Sequence, residues 1–201
     1  MAAGDAYIEI EVKIRFPQGA AEARSLIESR GYRLKEDRIL ESDQLYDRPD
    51  GALRASDQLL RLRRSGTQSI VTYKGPGRRE RHKSREEIEF EVSDPGSFER
   101  VLDRLGYRPR FRYEKYRTKF GNESEPGFIT IDETPVGVFL ELEGPAEWID
   151  LTAAKLGLSE TEYLTQSYAS VYAEYRRTHP DAPENMIFVP SALFRTSEKE
   201  P

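Results

Sequence analysis

The chain of 201 residues contains no cysteine, which excludes disulfides, thiolate nucleophiles and cysteine-ligated zinc. Histidine is nearly absent too. His82 and His179 are too few for a histidine metal cage. No apolar run approaches the ~18 residues that a membrane-spanning helix needs. Met1 to Tyr7 has neither a charged leading region nor an apolar one, so no secretory signal is expected. A dominant charge sign is also missing. Lys plus Arg number 31, Asp plus Glu 36, and the net charge is −5. That balance excludes a broadly basic nucleic-acid binder and an acidic disordered tail. The default expectation is a soluble, cytoplasmic protein without membrane or nucleic-acid partners. A homodimer is compatible with the sequence.

What is abundant is charge of both signs. One third of the residues are charged, above the usual quarter, against 37% apolar. The length fits one medium domain. We expect a domain over residues 1–178 and a loosely held tail over 179–201, polar and proline-bearing after Pro180.

Residues 7–15 alternate, with Ile8, Ile10, Val12 and Ile14 on one face and Glu9, Glu11 and Lys13 on the other. Further strands are expected at 34–45, 59–64, 69–74, 86–92, 111–120, 127–133 and 138–143, with turns at Asp50-Gly51 and Ser65-Gly66. Helices are expected at 20–29, 95–105, 146–156 and 160–177, with Ser97 as a cap and glycines 31 and 106 as stops. The segments SLIESRGYR (25–33) and ERVLDRLGYR (99–108) echo each other, each between two strands. Two similar halves forming one sheet system would explain this, and so would chance.

Most strands repeat one habit. Leu60 and Leu62 oppose Arg61 and Arg63; Ile88, Phe90 and Val92 oppose Arg85, Glu87 and Glu89; Ile129 and Ile131 oppose Asp132; Leu140 and Leu142 oppose Glu141 and Glu143. The apolar faces supply a surface for helices. Charged faces of both signs on so many strands favour a closed or cupped sheet with a wet, charged interior, because dry uncompensated burial would cost several kcal/mol per group.

The ordered set of motifs is more specific than any one of them. Glu9-x-Glu11-x-Lys13 places three charges in a row, about 6.6–6.8 Å apart. Then come LYDRPD (45–50), LRLR (60–63), TYKGP (72–76), SREEIE (84–89), KYR (115–117), IDETPVG (131–137), FLELEG (139–144) and Ser167-Tyr168. Together, over about residues 7–175, these resemble the CYTH superfamily of class IV adenylyl cyclases and thiamine triphosphatases, the triphosphate tunnel metalloenzymes. The resemblance implies an α+β fold, with a closed antiparallel barrel of about eight strands and helices packed outside.

It also implies roles. Lys13, Arg61, Arg63, Lys74, Lys115 and Arg117 match the triphosphate cradle, with Arg85 a further member. The arginine fork holds two phosphate oxygens, and lysine supplies a movable point charge. Glu9, Glu11, Glu141 and Glu143 match carboxylates that hold Mg²⁺ or Mn²⁺, and Asp132 lies at another acidic position. With Lys13, these four glutamates are the candidate catalytic groups. Glu87 and Glu89 are expected to orient cradle cations.

The cluster Arg78, Arg79, Arg81, His82 and Lys83 reads as a solvated hairpin loop. Tyr163, Tyr168, Tyr172 and Tyr175 read as helix packing, Ser167 and Tyr168 as mainly structural, and Trp148 as a packing anchor.

Two reactions fit such a tunnel. In one, ATP is cyclised to cyclic AMP and pyrophosphate; in the other, an inorganic or organic triphosphate is hydrolysed. Animal thiamine triphosphatases carry a Trp two residues before the Arg-x-Arg pair, where this chain has Leu59, so thiamine triphosphate is disfavoured. The wording of the motifs is closer to the cyclase type. A non-catalytic nucleotide or polyphosphate binder is the third reading. Four metal carboxylates argue against it.

Overall fold

The first strand, β1 (Tyr7–Arg15), sets the pattern for the whole molecule. Its apolar residues face outward onto helices and its charged residues inward. The structure is a computed structural model and describes residues 7–188. After β1 come α1 (Ala20–Ser29), β2 (Arg33–Asp47), α2 (Ala52–Ala55), β3 (Leu59–Ser65), β4 (Gln68–Lys74), β5 (Arg78–Arg79) and β6 (Lys83–Glu91). The second half holds α3 (Pro95–Arg104), β7 (Arg108–Gly121), β8 (Phe128–Thr134), β9 (Gly137–Glu143), α4 (Ala146–Lys155) and α5 (Tyr168–Thr178).

The strands form one antiparallel sheet in the order β1-β9-β8-β7-β2-β3-β4-β6, and a β1–β6 pairing closes it into an eight-stranded barrel. The two-residue β5 adds to β6. The echo in the sequence is real in the topology. Exchanging β1 with β6, β2 with β7, β3 with β8 and β4 with β9 maps the set of barrel pairings onto itself, with β1–β6 and β2–β7 each returned to itself. Both echoing helix ends turn through a left-handed glycine, Gly31 at φ +89° and Gly106 at φ +86°, a conformation costly for residues with a Cβ. Each then enters a long strand, and those two strands, β2 and β7, pair with each other. On the inner face, β2 carries Glu41 and Asp43 where β7 carries Lys115 and Arg117. The halves are therefore partly complementary in charge.

The core lies outside the barrel, in separate clusters. Val12, Ile14, Ile129, Ile131, Leu140 and Leu142 pack against Ala23 and Ile27 of α1 and Trp148, Ile149 and Ala153 of α4. Tyr46, Leu62 and Val71 receive Leu102 of α3. At one mouth of the barrel the inner face itself turns apolar. There Tyr113 and Phe139 meet Tyr168, Val171 and Tyr172 of α5.

Three expectations need correction. The cap of α3 is Asp94, which accepts from the backbone N–H of Ser97 at 2.9 Å, rather than Ser97 itself. The helix expected over 160–177 is broken. A 3-10 turn (Glu160–Glu162) leads to an extended stretch before α5 begins at the Ser167 cap. The break has a cause: β6 pairs with β1 only as far as Glu11, leaving the edge of Lys13 open. Leu164 fills it with two backbone hydrogen bonds of 3.1 and 2.7 Å. Likewise the segment expected to be loose after Pro180 is held as far as Phe188. The pairing of β8 with β7 begins at Tyr116, which leaves the earlier edge of β7 open. Met186 is wholly buried there and bonds the backbone of Arg112 and Glu114 at 3.0 and 2.8 Å. Residues 189–201 of that expected tail lie outside the described residues.

Candidate active site

The barrel encloses a cavity of about 970 Å³ whose walls carry charges of both signs from β1, β2, β3, β4, β6, β7 and β9. Strand parity alone puts these groups inside, because residues two apart point the same way. All seven cations expected in the cradle are brought together. Lys13, Arg61, Arg63, Lys74, Arg85 and Lys115 are buried, and Arg117 is nearly so.

Most of these cations are held by carboxylates. Lys13 pairs with Glu141, and its ammonium sits 4.3 Å above the ring of Tyr168. Lys74 donates to both oxygens of Glu9 at 2.6 Å and lies 3.0 Å from Glu87. Arg61 donates to the hydroxyl of Thr72, which in turn donates to Glu89, each at 2.9 Å. Arg63 donates to Asp43 at 2.8 Å and to Glu41 at 3.1 Å. Lys115 and Arg117 both donate to Asp132, Lys115 at 2.7 Å and Arg117 through two bonds of 2.7 and 2.6 Å. Arg117 also reaches Glu141. Arg85 differs from the rest: its nearest carboxylate contact is 3.8 Å, to Glu9. The Nε atoms of Arg61 and Arg85 are buried without a hydrogen-bond partner. Such donors are costly to leave unpaired, and a bound polyanion would satisfy them.

The acidic residues fall into two groups. Asp132 is wholly buried and accepts from Lys115, Arg117 and, at 2.7 Å, the hydroxyl of Tyr168. Glu141 is likewise taken up by Lys13 and Arg117. Burial raises its pKa, but Lys13, Arg117 and Lys115 outweigh that and hold it well below the usual carboxylate range. In the second group, Glu9, Glu11 and Glu143, the carboxylates crowd one another. Burial and the neighbouring Glu11 push Glu9 up to about 7, against Lys74. Burial with Glu9 and Glu11 pushes Glu143 up to about 7. Burial also raises Glu11, but Lys83, Lys13 and Lys74 prevail and keep it below its ordinary value.

Crowded carboxylates that resist ionising are what a divalent cation relieves. Among the described residues, no three acidic or histidine side chains close on one point. Mg²⁺ suits this arrangement, since it takes few carboxylates and completes its shell with water and phosphate oxygens.

Several residues in or behind the cavity wall escaped the reading of the sequence. Glu41 and Asp43 lie on β2, where the opposite face carries Ser42 and Gln44, so no contrast of apolar and charged faces marked the strand. Lys83 was read as part of a solvated loop. It is instead buried, and its ammonium contacts Glu11, its register partner on β1. Arg81 and His82 of the same run are tied to Asp150 at 2.6 and 2.8 Å. Tyr168, read as mainly structural, puts its ring beneath Lys13 and its hydroxyl on Asp132. Burial, then Asp132, keep that phenol protonated well above its ordinary pKa. Trp148 is a packing anchor, as expected, and its indole N–H also donates to Glu125 at 2.8 Å.

A small closed barrel with an ion-paired interior and an apolar exterior under helices defines a class: a tunnel protein for a metal-bound polyanion. The chain belongs to the CYTH domain family, whose model matches residues 7–168. Members are metal-dependent tunnel enzymes that process triphosphates. A protein of Methanocaldococcus jannaschii named "putative adenylate cyclase" is 29% identical over 136 residues, 68% of this chain and 76% of that protein. A solved structure from Vibrio parahaemolyticus, also described as a putative adenylate cyclase, superposes with a TM-score of 0.73 at 20% identity. The match covers 84% of this chain and 99% of that one. A Hippeastrum protein, described as a putative adenylyl cyclase with a dominant triphosphatase activity, gives a TM-score of 0.61 at 19% identity over 83% and 96% of the two chains. Among the described residues no helix is long and apolar enough to cross a membrane.

Proposed function

We propose that this chain is a class IV adenylyl cyclase-like enzyme that converts ATP to cyclic AMP and pyrophosphate. The observation that carries the reading is a second cavity of about 530 Å³, which shares Leu59, Lys83, Arg85 and Ser167 with the charged tunnel. Its walls include Leu45, Leu53, Leu60, Phe111 and Tyr172. Room of this size, with apolar side chains for a base and polar ones such as Gln58, Arg54 and Asp57 for a sugar, suits the nucleoside, and the tunnel suits the triphosphate.

Arg61, Arg63, Lys115 and Arg117 hold the β- and γ-phosphates and stabilise the charge that gathers on departing pyrophosphate. Arg85, at the junction of the cavities, holds the α-phosphate. Asp132 and Glu141 aim these cations. Carboxylates drawn from Glu9, Glu11 and Glu143, with phosphate oxygens and water completing the shell, would hold a divalent ion, which would neutralise phosphate charge and lower the pKa of the attacking hydroxyl. The ribose 3′ oxygen forms its bond to the α-phosphorus as the bond to the β-phosphate oxygen breaks. Its proton leaves to solvent through the open tunnel.

Hydrolysis at the terminal phosphorus is the second reading, favoured by the activity described for the Hippeastrum protein. Both reactions use the same cradle. Incubation with Mg²⁺ or Mn²⁺ and either ATP or tripolyphosphate separates them. Cyclic AMP with pyrophosphate supports cyclisation. Phosphate release without cyclic AMP overturns it in favour of hydrolysis. Tight binding without turnover of either would leave a binding module.

A further inference from the structure

Lys83 opens β6 directly opposite Glu11 in the β1–β6 pairing. Its side chain is buried and its ammonium contacts the Glu11 carboxylate. Other cations of the tunnel are held more than once. Lys74 has Glu9 and Glu87, Lys115 has Asp132 and Glu41, and Arg117 has Asp132 and Glu141. Lys13 has Glu141 and a tyrosine ring. For Lys83, Glu11 is the one carboxylate partner among the described residues. Nearby stand further cations, Arg85 and Lys13. Burial lowers the pKa of Lys83, Glu11 opposes that, and Arg85 and Lys13 add to it. Lys83 also lines both cavities, so its ammonium has open space to turn into.

We propose that Lys83 is a built-in counter-ion that links the metal carboxylates to the phosphate cradle, an assignment that rests on the triphosphate chemistry above. In the empty tunnel Lys83 neutralises Glu11. When Glu11 takes a divalent cation, Lys83 loses its partner and stands buried beside Arg85 and Lys13. A lone buried ammonium is costly. Phosphate oxygens at the junction of the cavities supply the missing negative charge. Lys83 therefore competes with the metal in the empty tunnel and holds phosphate in the filled one. Metal and triphosphate then tighten each other's binding, by the same factor in either order.

The test is calorimetric titration of Mg²⁺ into the metal-free full chain, alone and with tripolyphosphate. Wild type should bind Mg²⁺ weakly alone and at least about fivefold more tightly with tripolyphosphate. In Lys83→Met the competitor is gone. Mg²⁺ alone should then bind about fivefold more tightly, while the gain from tripolyphosphate shrinks. Direct metal–phosphate contact accounts for the gain that remains. Lys83→Arg keeps the charge and should retain the wild-type coupling. If Lys83→Met fails to fold, as judged by circular dichroism, Lys83→Gln takes its place. Wild-type Mg²⁺ affinity and coupling in a folded neutral variant would overturn the role of Lys83 alone. A wild-type chain that binds neither Mg²⁺ nor tripolyphosphate would overturn the proposed function with it.

Discussion

The hydroxyl of Tyr168 donates to Asp132 at 2.7 Å, so the helix across one mouth of the barrel is tied to the carboxylate that aims Lys115 and Arg117. Tyr168→Phe removes this bond and little else, because the ring stays packed on Phe139 and Tyr113. We expect a loss of about 1–2 kcal/mol in urea unfolding. Triphosphate binding should weaken about threefold to tenfold as Asp132 loses its fixed position. Unchanged stability and unchanged binding would show that the tie is idle.

Asp43 is wholly buried and holds Arg63, with Arg61 3.4 Å away. Asp43→Ala leaves two guanidinium groups buried without this counter-charge. A broken buried pair costs about 3–5 kcal/mol, and thermal or chemical unfolding should register it. Tripolyphosphate, as a replacement anion, should restore part of the loss. A variant as stable as wild type would mean that solvent already screens these arginines.

Glu9 and Glu143 have folded-state pKa values raised to about 7 from an ordinary 4.5. A carboxyl raised on folding favours the native state while protonated, and that advantage fades as pH climbs from about 4.5 to about 7. The metal-free protein should therefore lose stability across this window, on the order of 3 kcal/mol for each carboxyl. Glu11 and Glu141, shifted the other way, lose their contribution only at more acid pH. Melting curves at pH 5 and pH 8 should differ most without Mg²⁺. Adding Mg²⁺ at pH 8 should close most of the gap, and Glu143→Gln should shrink it. A flat profile without metal would argue against the crowding of these carboxylates.

Gly127 has no room for a side chain. A Cβ there would lie 2.3 Å from the ring of Trp148 and 2.7 Å from the carbonyl oxygen of Glu143. Gly127→Ala should cost about 1–3 kcal/mol by overpacking. Trp148, the chain's one tryptophan, should report the shift by fluorescence. An unaltered spectrum and melting temperature would refute the predicted clash.

Much of this architecture was legible before any tertiary structure, for one reason. In β1, β3, β6, β8 and β9 the chain alternates apolar and charged residues, and period two turns that alternation into an outside and an inside. Hence the ExExK row, Arg61 with Arg63, and Glu141 with Glu143 could be placed on one surface. The echo of two helix ends pointed to the pseudo-two-fold that the barrel pairings display. Where alternation was absent the reading failed. Glu41 and Asp43 oppose a polar face, and Lys83 sits in a basic run without periodicity. The helix expected across Leu164 gave way because an open strand edge at Lys13 had to be satisfied.

The sequence by itself determined the strands, the helices and the charged and apolar strand faces, since these follow from local periodicity, and it pointed to a closed barrel through the resemblance of its motifs. It could not decide which charge meets which. Lys83 on Glu11, Tyr168 on Asp132 and Lys74 on Glu9 join residues 72, 36 and 65 positions apart. Such partnerships depend on strand register and barrel closure, which bring together side chains that no local pattern relates.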